Sequence, residues 1–393
     1  MINAGTAVEF ELTNVQNRGS AGVATFVVQI ETATGVPMAH GTNAANTFVP
    51  APLLDVSVTG DGLTAGFVGD MTVEFTTTNV LPEDGKIIIN FNPGFSFDEG
   101  APMDAIASQF SGEVLSISHV GELLTISRNG TGAAISAGDT FTILVTNVKG
   151  TPVAGPTEYD IATATVDGDA IDGVDDFVGQ PIVPGALTDV SVTLPNTIAG
   201  SAGTIHVDLT LTNPLPFDGK IMLFFSDGFE TDADGVNSVA LSPFDIPGFF
   251  VVSEPNPAEI EVARDALTPI IVSGGSVIDD LSVSNVRIAP FEGSFNVTVQ
   301  TRTVDDFIID EIVGVPLVPI TRSALSGIVV SVDLEETGDV ATITVDFTTD
   351  NPIPADGRIV IEFPDVTFPF LFDAGATSTM DSADLETYGG TYS

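Results

Sequence analysis

A phrase that returns three times at nearly constant spacing constrains the fold of this chain more than any other feature. Asn79-Val80-Leu81-Pro82-Glu83-Asp84-Gly85-Lys86-Ile87 recurs as Asn213-Pro214-Leu215-Pro216-Phe217-Asp218-Gly219-Lys220-Ile221, then as Asn351-Pro352-Ile353-Pro354-Ala355-Asp356-Gly357-Arg358-Ile359. Its aspartates stand 134 and 138 residues apart. A second phrase, Thr13-Asn14-Val15, returns as Thr146-Asn147-Val148 and Ser284-Asn285-Val286, and belongs to the other end of the repeat. The expected order is therefore a late half (1–51), two complete repeats (52–185 and 186–321) and an early half (322–393).

Inside the first complete repeat, seven segments carry the strand signature: 53–59, 70–78, 86–91, 113–118, 122–127, 139–147 and 158–166. Apolar and polar residues alternate along them, β-branched residues are frequent, and Gly, Pro, Asn or Asp fill the gaps. In the last segment Tyr159, Ile161, Thr163 and Thr165 match Phe26, Val28, Ile30 and Thr32, and again Phe295, Val297, Val299 and Thr301. A face kept that way in every copy belongs against a core. Helix signals are confined to a single expected turn at 103–109. The fold class that follows is all-β, with tandem immunoglobulin-like β-sandwich domains in an extended array. Pro-bearing connectors at 48–52, 181–184 and 315–319 are expected to run extended and stiffen the string.

Charge narrows the partners. The chain holds 54 acidic residues against 10 Lys and Arg, a formal net charge of −44, although only 16% of its residues are charged. The acidity thus comes from missing bases. Such a field repels nucleic acid, which needs basic residues to replace phosphate counterions, and anionic membranes. No run of apolar residues is long enough for a membrane span, so no membrane insertion is expected. Nor does any stretch resemble a signal peptide; if the protein is exported, its targeting segment lies outside this sequence. Cysteine is absent, which excludes disulfides and thiol chemistry.

Three groups of residues are candidate sites. The repeated turn places Asp84, Asp218 and Asp356 before a glycine with an expected positive φ, and Lys86, Lys220 and Arg358 just after it. Those bases either pair with a nearby carboxylate at the turn or contact an acidic face of a neighbouring unit. Acidic clusters are the metal candidates. Asp167, Asp169, Asp172, Asp175 and Asp176 crowd the approach to one connector, and Asp305, Asp306, Asp310 and Glu311 hold the matching place in the next repeat. Calcium takes six to eight oxygens on flexible loops, and such clusters are otherwise solvated acidic loops. Glu230-x-Asp232-x-Asp234-Gly235 starts like an EF-hand loop, but Leu241 occupies its twelfth position. Asn129 and Asn296 lie in sequons that permit glycosylation of a secreted chain. No catalytic reading gathers support: His40, His119 and His206 fall at unrelated repeat positions, and nucleophile and phosphate-loop motifs are missing.

The three copies of Pro-x-Asp-Gly-(Lys/Arg)-Ile, each followed by an alternating strand, resemble tandem immunoglobulin-like repeats of very large extracellular surface, adhesin or fibre proteins of protists and bacteria. The resemblance implies an extracellular or cell-surface location and a stalk, adhesin or fibre role, and it transfers no functional residue. The expectation is a structural segment of a filament, sheath or surface layer whose partners are copies of itself or neighbouring repeats. The alternative is an adhesin module that recognises glycan or protein, for which Pro247-Gly248-Phe249-Phe250 is the one unusually apolar stretch. The early half is expected to supply four strands and the late half two. They belong either to a longer array or to a sandwich shared between subunits, the latter short of about one strand.

Overall fold

The computed structural model describes residues 2–362 apart from 61–62, 92, 98–103, 111–114, 227, 231–238, 241–249, 254, 257, 265–269, 335, 337–339 and 354–356. Asp356, Asp232, Asp234 and the 247–249 stretch fall outside the described residues. The chain is all-β. A hairpin, β1 (Gly22–Glu31) and β2 (Pro37–Phe48), comes first. The first sandwich follows with β3 (Ala51–Pro52), β4 (Leu54–Gly60), β5 (Val68–Thr76), β6 (Lys86–Phe91), β7 (Ser96–Phe97), β8 (Ala105–Ala107), β9 (Leu115–Val120), β10 (Leu123–Arg128), β11 (Thr140–Lys149), β12 (Glu158–Ala164) and β13 (Ala170–Val178). The second has β14 (Gly185–Ala186), β15 (Thr188–Thr193), β16 (Ala202–Thr210), β17 (Lys220–Phe225), β18 (Val239–Ala240), β19 (Phe250–Ser253), β20 (Glu259–Arg264), β21 (Val277–Arg287), β22 (Asn296–Arg302) and β23 (Ile308–Pro316). A last hairpin is β24 (Ser326–Val332) and β25 (Ile343–Thr348).

Both sandwiches are wound alike. One sheet runs β3-β13-β12-β6-β10-β9 in the first and β14-β23-β22-β17-β20-β19 in the second. The facing sheets run β4-β5-β11-β7 and β15-β16-β21-β18. Among the strands named above, pairing is antiparallel except where the two-residue strands β3 and β14 lie parallel to β13 and β23. Each pair of sheets encloses one apolar core. In the first, Met71, Val73 and Phe75 of β5 meet Ile87 and Ile89 of β6, all fully buried, and Phe75 stacks on Phe141 with centroids 5.2 Å apart. Each such side chain contributes about 1.5–3 kcal/mol by leaving water, so the alternation read from the sequence carries the fold's main driving force.

The structure corrects three local expectations. Ala170–Val178 is a strand rather than an acidic loop, because Ile171 and Asp172 are both buried in its sheet. The expected helical turn at 103–109 is instead β8 followed by a short 3-10 turn, Ser108–Phe110, since Ala105–Ala107 pair with β11. Neither Gly85 nor Gly219 adopts a positive φ. Their turns close by N–H donation to Pro82 O and Pro216 O, both at 3.0 Å. Glycine is required there for space: a Cβ would come within 2.6 Å of Leu81 Cδ1 and 2.7 Å of Leu215 Cδ1. At the 181–184 connector and just past the 315–319 connector the chain is tied to the preceding sandwich. Ile182 and Ile320 are buried, and each exchanges two backbone hydrogen bonds with a glycine of the preceding sandwich, Gly155 and Gly293.

Candidate interface between the sandwiches

The residue of the repeated phrase that reaches furthest is its asparagine. β-sheet packing brings Asn213, just after β16, against the buried carboxylate of Asp310 on β23. Asp310 Oδ2 accepts the backbone N–H groups of Thr212 at 3.1 Å and Asn213 at 2.9 Å, and Oδ1 accepts Asn213 Nδ2 at 2.7 Å. The N–H of Asp310 donates to Thr301 Oγ1 at 3.0 Å. An amide nitrogen carries two hydrogens. The second hydrogen of Asn213 leaves the sandwich and donates to Ala65 O of the preceding one, at 2.9 Å. Burial pushes the Asp310 carboxyl above its ordinary range, while the donors from Asn213 and Thr212 pull it back.

The same arrangement is written elsewhere in the chain. Asp172 Oδ2 accepts Thr78 N–H at 3.0 Å and Asn79 N–H at 2.9 Å, and Oδ1 accepts Asn79 Nδ2 at 2.7 Å. Asn351 donates Nδ2 to Ala199 O at 3.0 Å and to Ser323 Oγ at 2.9 Å. Ala65 and Ala199 are matching positions, and each is followed by a glycine with positive φ, +68° at Gly66 and +75° at Gly200. A Cβ on Gly66 would overlap Asn213 Oδ1, and one on Gly200 would overlap Asn351 Oδ1. An Ala-Gly turn thus cups the asparagine of the next unit, and only glycine leaves room.

A second contact completes the joint. Ala154 N–H donates to Ile308 O at 2.8 Å, and Val153 packs against the core of the second sandwich. The N-terminal hairpin repeats it, with Ala21 N–H donating to Ala170 O at 2.6 Å and Arg18 reaching Asp169 at 3.5 Å.

Of the bases of the repeated phrase, Lys220 acts within its own unit. Lys220 is almost buried and pairs with Glu261 at 3.1 Å and Asp306 at 2.7 Å. Burial pulls its ammonium down, but hydrogen bonds to Asp306 and Glu261 outweigh that and hold the pKa above an ordinary lysine. The hydrogen bond from Lys220 holds Asp306 low. A raised lysine pKa stabilises fully below the unfolded value of about 10.4 and is lost as pH rises through the folded one. Lys220→Met is therefore expected to flatten the stability decline of the second sandwich above roughly pH 10. Near neutrality it should cost no more than about 1 kcal/mol, because Asp306 is largely exposed; urea melts at pH 7 and at alkaline pH measure both. Lys86 is half-buried and Arg358 exposed, and Asp84 and Asp218 are half-buried within their turns.

Two further bases were not singled out by sequence reasoning. Arg128 donates to Pro82 O at 2.7 Å and Ala133 O at 2.6 Å; Arg264 donates to Pro216 O at 2.7 Å and Ile270 O at 2.8 Å. Both end matching strands, and that shared position was the signal available. Of the acidic residues, Asp167, Asp169, Asp175, Asp176 and Asp305 are exposed, whereas Asp172 and Asp310 face the interior. Among the described residues no three acidic or histidine side chains converge closely enough to hold a metal. Asn129 and Asn296 are both exposed.

No protein-family model and no curated protein matches the sequence. Solved structures similar to the chain include the C-terminal domain of the Streptococcus pyogenes antigen I/II-family protein AspA, at 10% identity and TM-score 0.25, over 77% of this chain and 99% of that one. Another is a 35 kDa C-terminal fragment of the major pilin GBS80 of Streptococcus agalactiae, at 10% identity and TM-score 0.23, over 75% and 90%. No helix among the described residues is long and apolar enough to cross a membrane.

Proposed function

We propose that this chain is a structural segment of an extracellular filament, sheath or surface layer, in which units spanning 52–185 and 186–321 are held in fixed succession. The partners in this reading are neighbouring units of the same kind, within one chain or between copies. The observation that carries it is the joint. Asn213 on Ala65-Gly66 and Asn351 on Ala199-Gly200 repeat one contact at successive positions, and the buried connector isoleucines leave little slack between units. A binding module needs a divergent, exposed recognition surface. Here the repeated chemistry is directed at the joints. The acidic surface keeps such an array soluble and apart from nucleic acid and anionic lipid.

An antibody raised against the purified chain is expected to label intact, unpermeabilised cells that produce it. Labelling that appears only after permeabilisation would overturn the extracellular reading.

A further inference from the structure

Each sandwich pairs its first strand with its last, and the pair is parallel. In the first, Ala51 and Pro52 of β3 lie opposite Asp172 and Gly173 of β13. In the second, Gly185 and Ala186 of β14 lie opposite Asp310 and Glu311 of β23. Leu53 N–H donates to Gly173 O at 3.2 Å, and Leu187 N–H to Glu311 O at 3.3 Å. Both leucines are buried, so the chain enters each core directly behind its parallel contact. The connectors repeat the geometry. Val183 lies parallel to Thr64, donating its N–H to Leu63 O at 2.9 Å and accepting from Ala65 N–H at 2.8 Å. Thr321 lies parallel to Ile198, donating to Thr197 O at 2.6 Å and accepting from Ala199 N–H at 2.8 Å.

One threonine ties the entry and exit strands together from the side. The backbone N–H of Thr78 donates to Asp172 Oδ2 on β13 at 3.0 Å, while its hydroxyl donates to Pro52 O on β3 at 2.5 Å. Thr212 does the same, with its N–H on Asp310 Oδ2 at 3.1 Å and its hydroxyl on Ala186 O. The entry strands are two residues long, and Pro52 has no N–H to donate. A side-chain bond is therefore a large part of what holds each entry strand to its exit strand. The neighbouring hydroxyl is placed differently. Thr77 is buried and donates to Ser136 O at 3.2 Å and Asp139 O at 3.4 Å, residues that lie on neither β3 nor β13.

We infer that each complete unit is a tension-bearing link, in which the parallel pair and its threonine form a clamp that sets how fast the unit opens under load. The inference rests on the proposed array, whose units pass force from one to the next along the chain. Tension draws the entry strand backward along the chain and the exit strand forward. In a parallel pair those two pulls act at opposite ends, along the strands. The hydrogen bonds run between the strands rather than along them, so all are strained at once and must break together. Antiparallel entry and exit strands would be pulled from one end, and their bonds would open singly. The contacts of Val183 with Thr64 and of Thr321 with Ile198 are parallel too, and are loaded in the same way. Forced opening is governed by the unfolding rate rather than by overall stability. A few bonds across the entry and exit strands then matter more than many elsewhere.

The test holds the full chain by its two ends at constant force. Two large opening steps are expected from the complete sandwiches, each releasing on the order of 400 Å of chain. In Thr78→Val one step should come ~3- to 10-fold faster at a given force while the other stays where it was. Thr212→Val should accelerate the step that Thr78→Val leaves unmoved. Thr77→Val removes a hydroxyl of the same kind one residue away and serves as the control. It should lower the urea midpoint of the first sandwich at least as far as Thr78→Val does, yet change the opening rate under load by less than ~2-fold. Equal acceleration by Thr77→Val and Thr78→Val, or none from Thr78→Val, would overturn the clamp. Either result would leave the array at the cell surface standing, because that reading falls only if intact cells fail to bind the antibody.

Discussion

An Asp310→Ala chain is expected to melt its second sandwich roughly 10–20 °C lower, a loss of about 3–5 kcal/mol. Asp310 is fully buried and accepts from Thr212 N–H, Asn213 N–H and Asn213 Nδ2. Alanine would strand all three donors where water cannot replace the carboxylate. Leaving buried donors unpaired costs far more than the bond itself is worth in water. The first sandwich, with its own Asp172 arrangement, should melt as before, so calorimetry should resolve one displaced transition and one unmoved. The matching change Asp172→Ala should displace the other. A shift of under about 2 °C in either case would mean that the buried carboxylates are not what holds the asparagine turn.

Gly66→Val is expected to act on the joint rather than on either core. The new Cβ would overlap Asn213 Oδ1, and φ of +68° disfavours a branched side chain. The sandwiches can escape the overlap by separating, which breaks the bond from Asn213 to Ala65 O. Each core should therefore keep its stability to within about 1–2 kcal/mol, while the distribution of distances between them broadens. Labels at Val120→Cys and Val313→Cys, both highly exposed, report that distribution by energy transfer. Gly168→Val separates strain from overlap: its φ is +94° but nothing lies within 4 Å of its Cβ position. That variant should leave the distances narrow. A narrow distribution in Gly66→Val would show that the Ala-Gly turn does not set the joint.

Much of the fold was legible because its signals are local. Alternation along β5, β6 and β12 reports which face of each strand is apolar, and spacing alone aligned the copies. β13 was missed because Asp172, Asp175 and Asp176 gave it the look of a solvated loop. Only packing reveals that one of those aspartates points inward and finds three donors 93 or 94 residues away in sequence. Gly85 was assigned to a positive φ by analogy with other Asp-Gly turns. Its real constraint is the Leu81 side chain folded over it, which no composition rule contains.

The candidate site divides in the same way. The repeated phrase holds three of the ten bases of the chain, which makes them its most conspicuous residues. Lys220 binds carboxylates of its own sandwich, whereas Asn213 crosses to the next. Both are short-range polar contacts, and which of them spans the joint depends on where the sheets carry each end of the turn. From sequence alone follow the repeat, its all-β character, its acidity and the places where the phrases recur, since these are properties of residues and their intervals. Tertiary structure decided which residue of the phrase faces the neighbour, which aspartates are inside, and why glycine stands at positions 66 and 200. Those outcomes depend on contacts between segments 93 to 152 residues apart, and such contacts exist only once both sheets have closed on their cores.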